Sequence, residues 1–154
     1  MRSLDRRLFL LGSFITSVRG QEFPTPRNPE LLELLGFLAE ALSTASAPMF
    51  LEHIDRGFPD YDRFRRNIYA LVEQWDVATS MEPLGVKGGD RERQAEVDWF
   101  LELRAKLPSN KLIRRREIVR LKLVRSGKRW KVADLSPVAL FSPIVPEVRQ
   151  NSPE

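Results

Sequence analysis

From Arg91 to Leu135, apolar and polar side chains alternate through three successive runs, and this pattern commits the centre of the chain to an antiparallel meander. In the first run Ala95, Val97, Trp99, Leu101 and Leu103 share one face, and Glu96, Asp98, Phe100 and Glu102 share the other. That is the period of two of a half-buried strand. Pro108-Ser109-Asn110 supplies a turn. A second strand follows from Lys111 to Arg125, with Val119, Leu121 and Leu123 apolar and Arg116, Arg120 and Lys122 between them. Ser126-Gly127 reads as a two-residue hairpin loop, where glycine accepts positive φ cheaply. A third strand runs from Lys128 to about Leu135.

A three-residue first loop would set Leu107 opposite Lys111. The predicted pairs are then Glu102 with Arg116, Asp98 with Arg120, Glu96 with Lys122 and Phe100 with Ile118. On the other face Trp99 meets Val119, Val97 meets Leu121 and Ala95 meets Leu123. A slip of one residue would scramble both faces. The second hairpin is expected to put Leu123 beside Trp130, Leu121 beside Val132, Val119 beside Asp134 and Glu117 beside Ser136. The basic run from Lys111 to Lys131 is therefore mostly an outer face with acidic partners. The apolar face turns polar at one end, through Arg115, Glu117 and Asp134, and a pocket is expected there.

The chain holds 154 residues, enough for one core. It has no cysteine, which excludes disulfides, a thiolate metal site, a cysteine nucleophile and a lipid-anchoring cysteine. Its one histidine, His53, excludes a multi-histidine metal site within the chain. No metal and no cofactor is expected. The formal charge is +4, but Arg2, Arg6, Arg7 and Arg19, with Asp5, lie in the first 20 positions. Without them 21 basic residues face 20 acidic ones, a balance of +1. A chain so close to neutral has little electrostatic footprint for a phosphate backbone, so nucleic acid is not an expected partner.

Residues 1–20 read as an export signal: a basic start, an apolar run from Leu8 to Val18, and a small residue at Gly20. The run is too short to span a bilayer, so no stable membrane insertion is expected once the signal is removed. Asp5-Arg6-Arg7-Leu8-Phe9-Leu10 resembles the twin-arginine translocation motif; an ordinary secretory signal with adjacent arginines is the alternative. Either route delivers a periplasmic or extracellular protein. Residues 21–29, with Pro24 and Pro26, read as a linker.

Asn28-Pro29 opens a helix with Asn as N-cap and Pro at the first position; Leu31, Leu34, Leu35, Leu38 and Leu42 form its buried stripe. Gly36 weakens that helix and is a possible site of close packing. A short helix is predicted from Ala47 to Asp55, carrying His53 as either a lone acid/base or a capped surface histidine. A third helix, capped by Asp60 or Asp62, reaches about Trp75 with Phe64, Ile68, Leu71 and Val72 inward. Tyr61 and Tyr69 lie on it, either directing hydroxyls into a cavity or simply packing. Asp76–Leu84 reads as a strand, irregular at Pro83, and the glycines at 85, 88 and 89 as a hairpin turn rather than a phosphate loop. Pro137 ends the last strand, and residues 144–154 read as a proline-rich tail.

The domain from 30 to 143 is thus α+β: three N-terminal helices on a curved antiparallel sheet. This order, with Gly127-Lys128-Arg129-Trp130-Lys131-Val132-Ala133-Asp134-Leu135 as its most telling piece, resembles the nuclear transport factor 2-like superfamily of cystatin-like cones. Phe50-Leu51-Glu52-His53-Ile54-Asp55 and the Tyr61–Trp75 helix are similar to its second and third helices. The resemblance implies a cavity-forming cone, used by isomerases and dehydratases with an Asp or His base and by non-catalytic ligand-binding and assembly domains. No catalytic set carries over onto this sequence.

Two expectations follow. The first is an exported, non-catalytic cone domain that binds a small apolar ligand or a protein partner. The second is an isomerase or dehydratase using Asp134, Glu117 or His53 as base, with Tyr61 or Tyr69 polarising a carbonyl. Arg115, Glu117, Asp134, Tyr61, Tyr69 and Trp99 are the candidate ligand-contacting residues. Arg115, Glu117 and Asp134 also read, and more simply, as an ion-pair cluster closing the sheet end. A homodimer through the outer sheet face would use Phe100 and Ile118.

Overall fold

The computed structural model describes residues 28–144; the expected signal, most of the expected linker and the expected tail beyond Ile144 lie outside the described residues. Helix α1, Pro29–Ser43, starts where expected: the Asn28 carboxamide accepts from Leu31 N at 3.1 Å. Its leucine stripe is buried, and Gly36 lies on the exposed side with no heavy atom within 4 Å of a would-be Cβ. The close packing considered for Gly36 is therefore not what holds glycine there. Helix α2, Ala47–Glu52, is capped by Ser46, and ends earlier than predicted, with His53 as its C-cap. Helix α3 is Tyr61–Gln74; Asp60 stands at its N-cap with φ 51° but makes no side-chain cap.

Four strands follow: β1, Trp75–Gly88; β2, Glu92–Ala105; β3, Leu112–Ser126; and β4, Arg129–Ser136. They form one antiparallel sheet in the order β1-β2-β3-β4. A short 3-10 helix, Val138–Phe141, follows Pro137. Strand β1 runs four residues further than expected and carries a bulge after Pro83, which is tolerable on an edge strand because proline has no N–H to donate. The helices cover one side of the sheet, and the buried face of β2 is Ala95, Val97, Trp99, Leu101 and Leu103, as the alternation requires.

The pairing of β2 with β3 differs from expectation by two residues. Val97 faces Val119, Ala95 faces Leu121, Trp99 faces Glu117 and Asp98 faces Ile118. An offset of two preserves both faces, so hydrophobic alternation cannot distinguish these registers. The loop decides between them. Ala105 N donates to Lys111 O at 2.8 Å, which leaves Lys106 to Asn110 in the turn and Leu107 88% exposed. The outer charges still find partners. Arg114 meets Glu102 at 3.2 Å and Arg120 meets Glu96 at 3.5 Å across the ladder. Arg116 reaches diagonally to Asp98 with bonds of 2.9 and 2.6 Å, and Lys122 reaches Glu92 at 3.3 Å. Each such exposed pair contributes about 0–1 kcal/mol.

The second hairpin also closes one residue later than expected. Ser126 pairs with Arg129, and the turn is Gly127-Lys128 with Gly127 at φ 63°. Leu123 pairs with Val132, but Lys122 pairs with Asp134, so Ala133 is an extra residue in β4. This bulge reverses the alternation: Trp130 and Val132 point inward before it, and Leu135 points inward after it. Asp134 is thereby turned to the outer face, exposed and opposite Lys122, not inward beside Val119 as the uninterrupted strand predicts. The exchange buries a leucine in place of a carboxylate, whose desolvation would be costly without a partner.

The core is continuous and aromatic at its centre. Phe141 is fully buried, with its ring centroid 5.1 Å from Trp99, 5.8 Å from Phe50 and 5.9 Å from Phe64. The Trp99 indole donates to Thr79 Oγ1 at 2.9 Å, and the Thr79 hydroxyl donates in turn to Phe100 O at 3.0 Å. Among the described residues, every side-chain nitrogen or oxygen fully shut off from solvent has a hydrogen-bond partner.

Candidate functional site

The polar end of the sheet does not form the expected pocket. Arg115 donates to the carbonyls of Leu140 at 2.8 Å and Ser142 at 2.7 Å. It thereby clamps the 3-10 helix against β3 rather than pairing with Glu117 or Asp134. Burial lowers its pKa from the ordinary guanidinium value, yet a guanidinium remains charged at any ordinary pH. Glu117 faces Trp99 in the ladder but is exposed, because β4 pairs with β3 only from Arg120 onward. Asp134 lines a separate concavity of ≈ 770 Å³ on the outer face, with Glu96, Arg120 and Lys122. Both the general-base arrangement and the ion-pair cluster expected of Arg115, Glu117 and Asp134 fail for the same reason: the three residues go to different places.

The other candidates are also dispersed. Trp99 is fully buried and committed to Thr79. Tyr61 and Tyr69 are half-buried against the core, and the Arg65 guanidinium lies 5.3 Å from the Tyr69 ring centre. The cone interior is occupied by Trp99, Phe50, Phe141, Leu38 and Leu42, all below 2% exposed.

His53 is different. It is 8% exposed and is the one polar residue buried among the described residues. Backbone pairing fixes it. Val132 N donates to His53 O at 2.8 Å, and Asp55 N donates to Val132 O at 2.8 Å, so the chain leaving α2 covers the edge of β4. The imidazole stacks on Phe37 with ring centres 5.0 Å apart and planes 6° from parallel. No side-chain hydrogen bond to it is formed among the described residues. Burial lowers its pKa from 6.5; Glu52 opposes the shift, and Arg129 and Lys131 reinforce it. Neutral imidazole offers one N–H donor and one lone-pair acceptor.

His53 lines a groove of ≈ 430 Å³ between α1, α2 and the β3–β4 hairpin. Leu34, Phe37 and Met49 give it an apolar floor, and Trp130 closes one end. A charged cluster supports that end. Glu30 accepts from the Trp130 indole N–H and pairs with Arg93 at 3.4 Å, while the Arg93 guanidinium lies 4.2 Å from the Trp130 ring centre. Arg93 also donates to Gly89 O at 3.0 Å. Phe37, Glu52, Lys128, Arg129 and Trp130 were not legible as site residues. The one hint in sequence is Phe37 itself, an aromatic on the polar side of α1, one turn after Glu33. Among the described residues no group of His, Cys, Asp and Glu is placed to hold a metal, and no helix is long and apolar enough to cross a membrane.

Three helices laid over a curved four-stranded antiparallel sheet define a cystatin-like α+β cone, the fold of the nuclear transport factor 2-like superfamily. No protein-family model and no curated protein matches the chain. Solved structures match its fold. A conserved protein from Planctomyces limnophilus superposes with a TM-score of 0.62 at 8% identity, over 69% of this chain and 90% of that one. A dehydratase candidate of the nuclear transport factor 2-like family from Streptomyces avermitilis gives 0.59 at 9% identity, over 70% and 92%. A protein of unknown function with a cystatin-like fold from Nostoc punctiforme gives 0.52 at 14% identity, over 74% and 91%. At such identities the likeness concerns the fold alone.

Proposed function

We propose that this chain is a non-catalytic binding domain that holds a small ligand with an apolar body in the groove beside His53 rather than inside the cone. The observation that carries this reading is the contrast between the two places. The cone is filled by Phe141 and its aromatic neighbours, whereas the groove combines an apolar floor with a buried imidazole whose ring is free of hydrogen bonds among the described residues. Its volume falls within the range of about 300–1,000 Å³ common for small-molecule sites. The export reading of residues 1–20 would place this binding outside the cytoplasm.

Nuclear magnetic resonance on labelled protein, titrated with a library of small aromatic and aliphatic compounds, tests the proposal. Shifts gathered at Phe37, His53 and Trp130 are the expected result. Shifts gathered at Phe50, Trp99 and Phe141 would place binding in the cone and overturn it. Turnover of a carbonyl or hydroxyl substrate that Asp134→Asn abolishes would favour an enzyme instead.

A further inference from the structure

The groove's charge is arranged in opposition. Glu33 and Glu52 stand on its helical wall, and Lys128 and Arg129 on its hairpin wall. None of the four takes part in an ion pair among the described residues. Glu30, by contrast, is already occupied by Trp130 and Arg93. The free charges therefore lie on facing walls with an apolar, aromatic floor between them. Partly exposed Phe37 offers ring surface to an incoming molecule, and His53 offers a hydrogen-bonding edge.

We infer that the ligand is a small planar aromatic molecule carrying both an anionic and a cationic group, the anion toward Lys128 and Arg129 and the cation toward Glu33 and Glu52. This inference rests on the groove reading above and narrows it. A neutral aromatic would meet only the floor. A ligand with a single charge would satisfy one wall and leave the other without a counter-charge. Opposite charges facing across a cleft select the orientation of a dipolar ligand, and with it the specificity.

Calorimetric titration of the full chain with four indole probes decides the matter: indole, indole-3-acetate, tryptamine and tryptophan. The zwitterion is expected to bind at least tenfold tighter than any of the other three. Arg129→Gln should weaken tryptophan about tenfold and leave tryptamine within twofold; Glu52→Gln should weaken tryptophan and leave indole-3-acetate within twofold. These side chains are exposed, so the variants should fold, and unchanged unfolding midpoints verify it. If indole or a singly charged probe binds as tightly as tryptophan, and competes with it for shifts at Phe37 and His53, the groove is a ligand site and the dipolar inference falls. If no probe and no library compound shifts the groove resonances, the groove reading falls with it.

Discussion

Phe141→Ala tests whether the cone is sealed by its own chain. The side chain is fully buried and contacts three aromatic rings within 6 Å. Truncating a buried phenylalanine typically costs about 3–5 kcal/mol through lost transfer energy and the cavity left behind. Aromatic pairs add about 0.5–1.5 kcal/mol each beyond burial, so the upper half of that range is expected here. For a domain of this size the midpoint of thermal unfolding should fall by roughly 12–20 °C. Urea titration followed by far-ultraviolet circular dichroism measures the loss. The variant should also gain affinity for a benzene-sized apolar probe, because the vacated space is lined by Trp99, Phe50 and Phe64 rather than by polar groups. A loss below about 1 kcal/mol would mean that the 3-10 helix swings clear at little cost and that Phe141 is not part of the core.

Gly36→Ala should stabilise the domain by about 0.5–1 kcal/mol, because the position is helical, exposed and free of neighbours; a destabilised variant in urea titration would contradict that. The His53 imidazole is held neutral by burial, with Glu52 opposing and Arg129 and Lys131 reinforcing the shift. The unfolded chain takes up this proton first as pH falls. The contribution is therefore complete above the ordinary value of 6.5 and is lost as pH drops through the depressed folded value. Urea midpoints of the parent should then fall more between pH 7.5 and 5 than those of His53→Gln, and parallel falls would count against burial of the ring. Asp98, whose pKa is lowered by its hydrogen bond to Arg116, acts in a separate window below 3.8. Replacing Arg6 and Arg7 together by lysine preserves charge but should abolish appearance of the protein outside the cytoplasm on a twin-arginine route; undiminished export would indicate the general secretory route.

The alternation from Ala95 to Leu103 carried the sheet faces, and Asn28-Pro29 with the leucine stripe carried α1, because both signals are local. The β2–β3 offset was not legible, since Val97 opposite Val119 and Val97 opposite Leu121 satisfy the same alternation. The loop from Lys106 to Asn110 settled it, and turn chemistry at Pro108 did not announce its length. Ala133 was still harder to foresee: a bulge leaves no mark when the extra residue is a small one. The groove depends on contacts between parts of the chain far apart, such as Trp130 with Glu30 and Phe37 with His53, which no short window contains.

The Ala133 bulge gives the cone an unusual proximity to a different chemistry. Straightening the bulge with every residue kept would restore strict alternation to β4, rotate Asp134 beneath the helices and expel Leu135 to solvent, whereas deleting Ala133 would leave Asp134 outward and Leu135 inward. The outcome of straightening would be an acidic group in the apolar interior, with its proton held tightly by the surroundings. The single extra residue at Ala133 thus separates a packed interior from one furnished with a protonated carboxyl, and it decides which of Asp134 and Leu135 enters the cone.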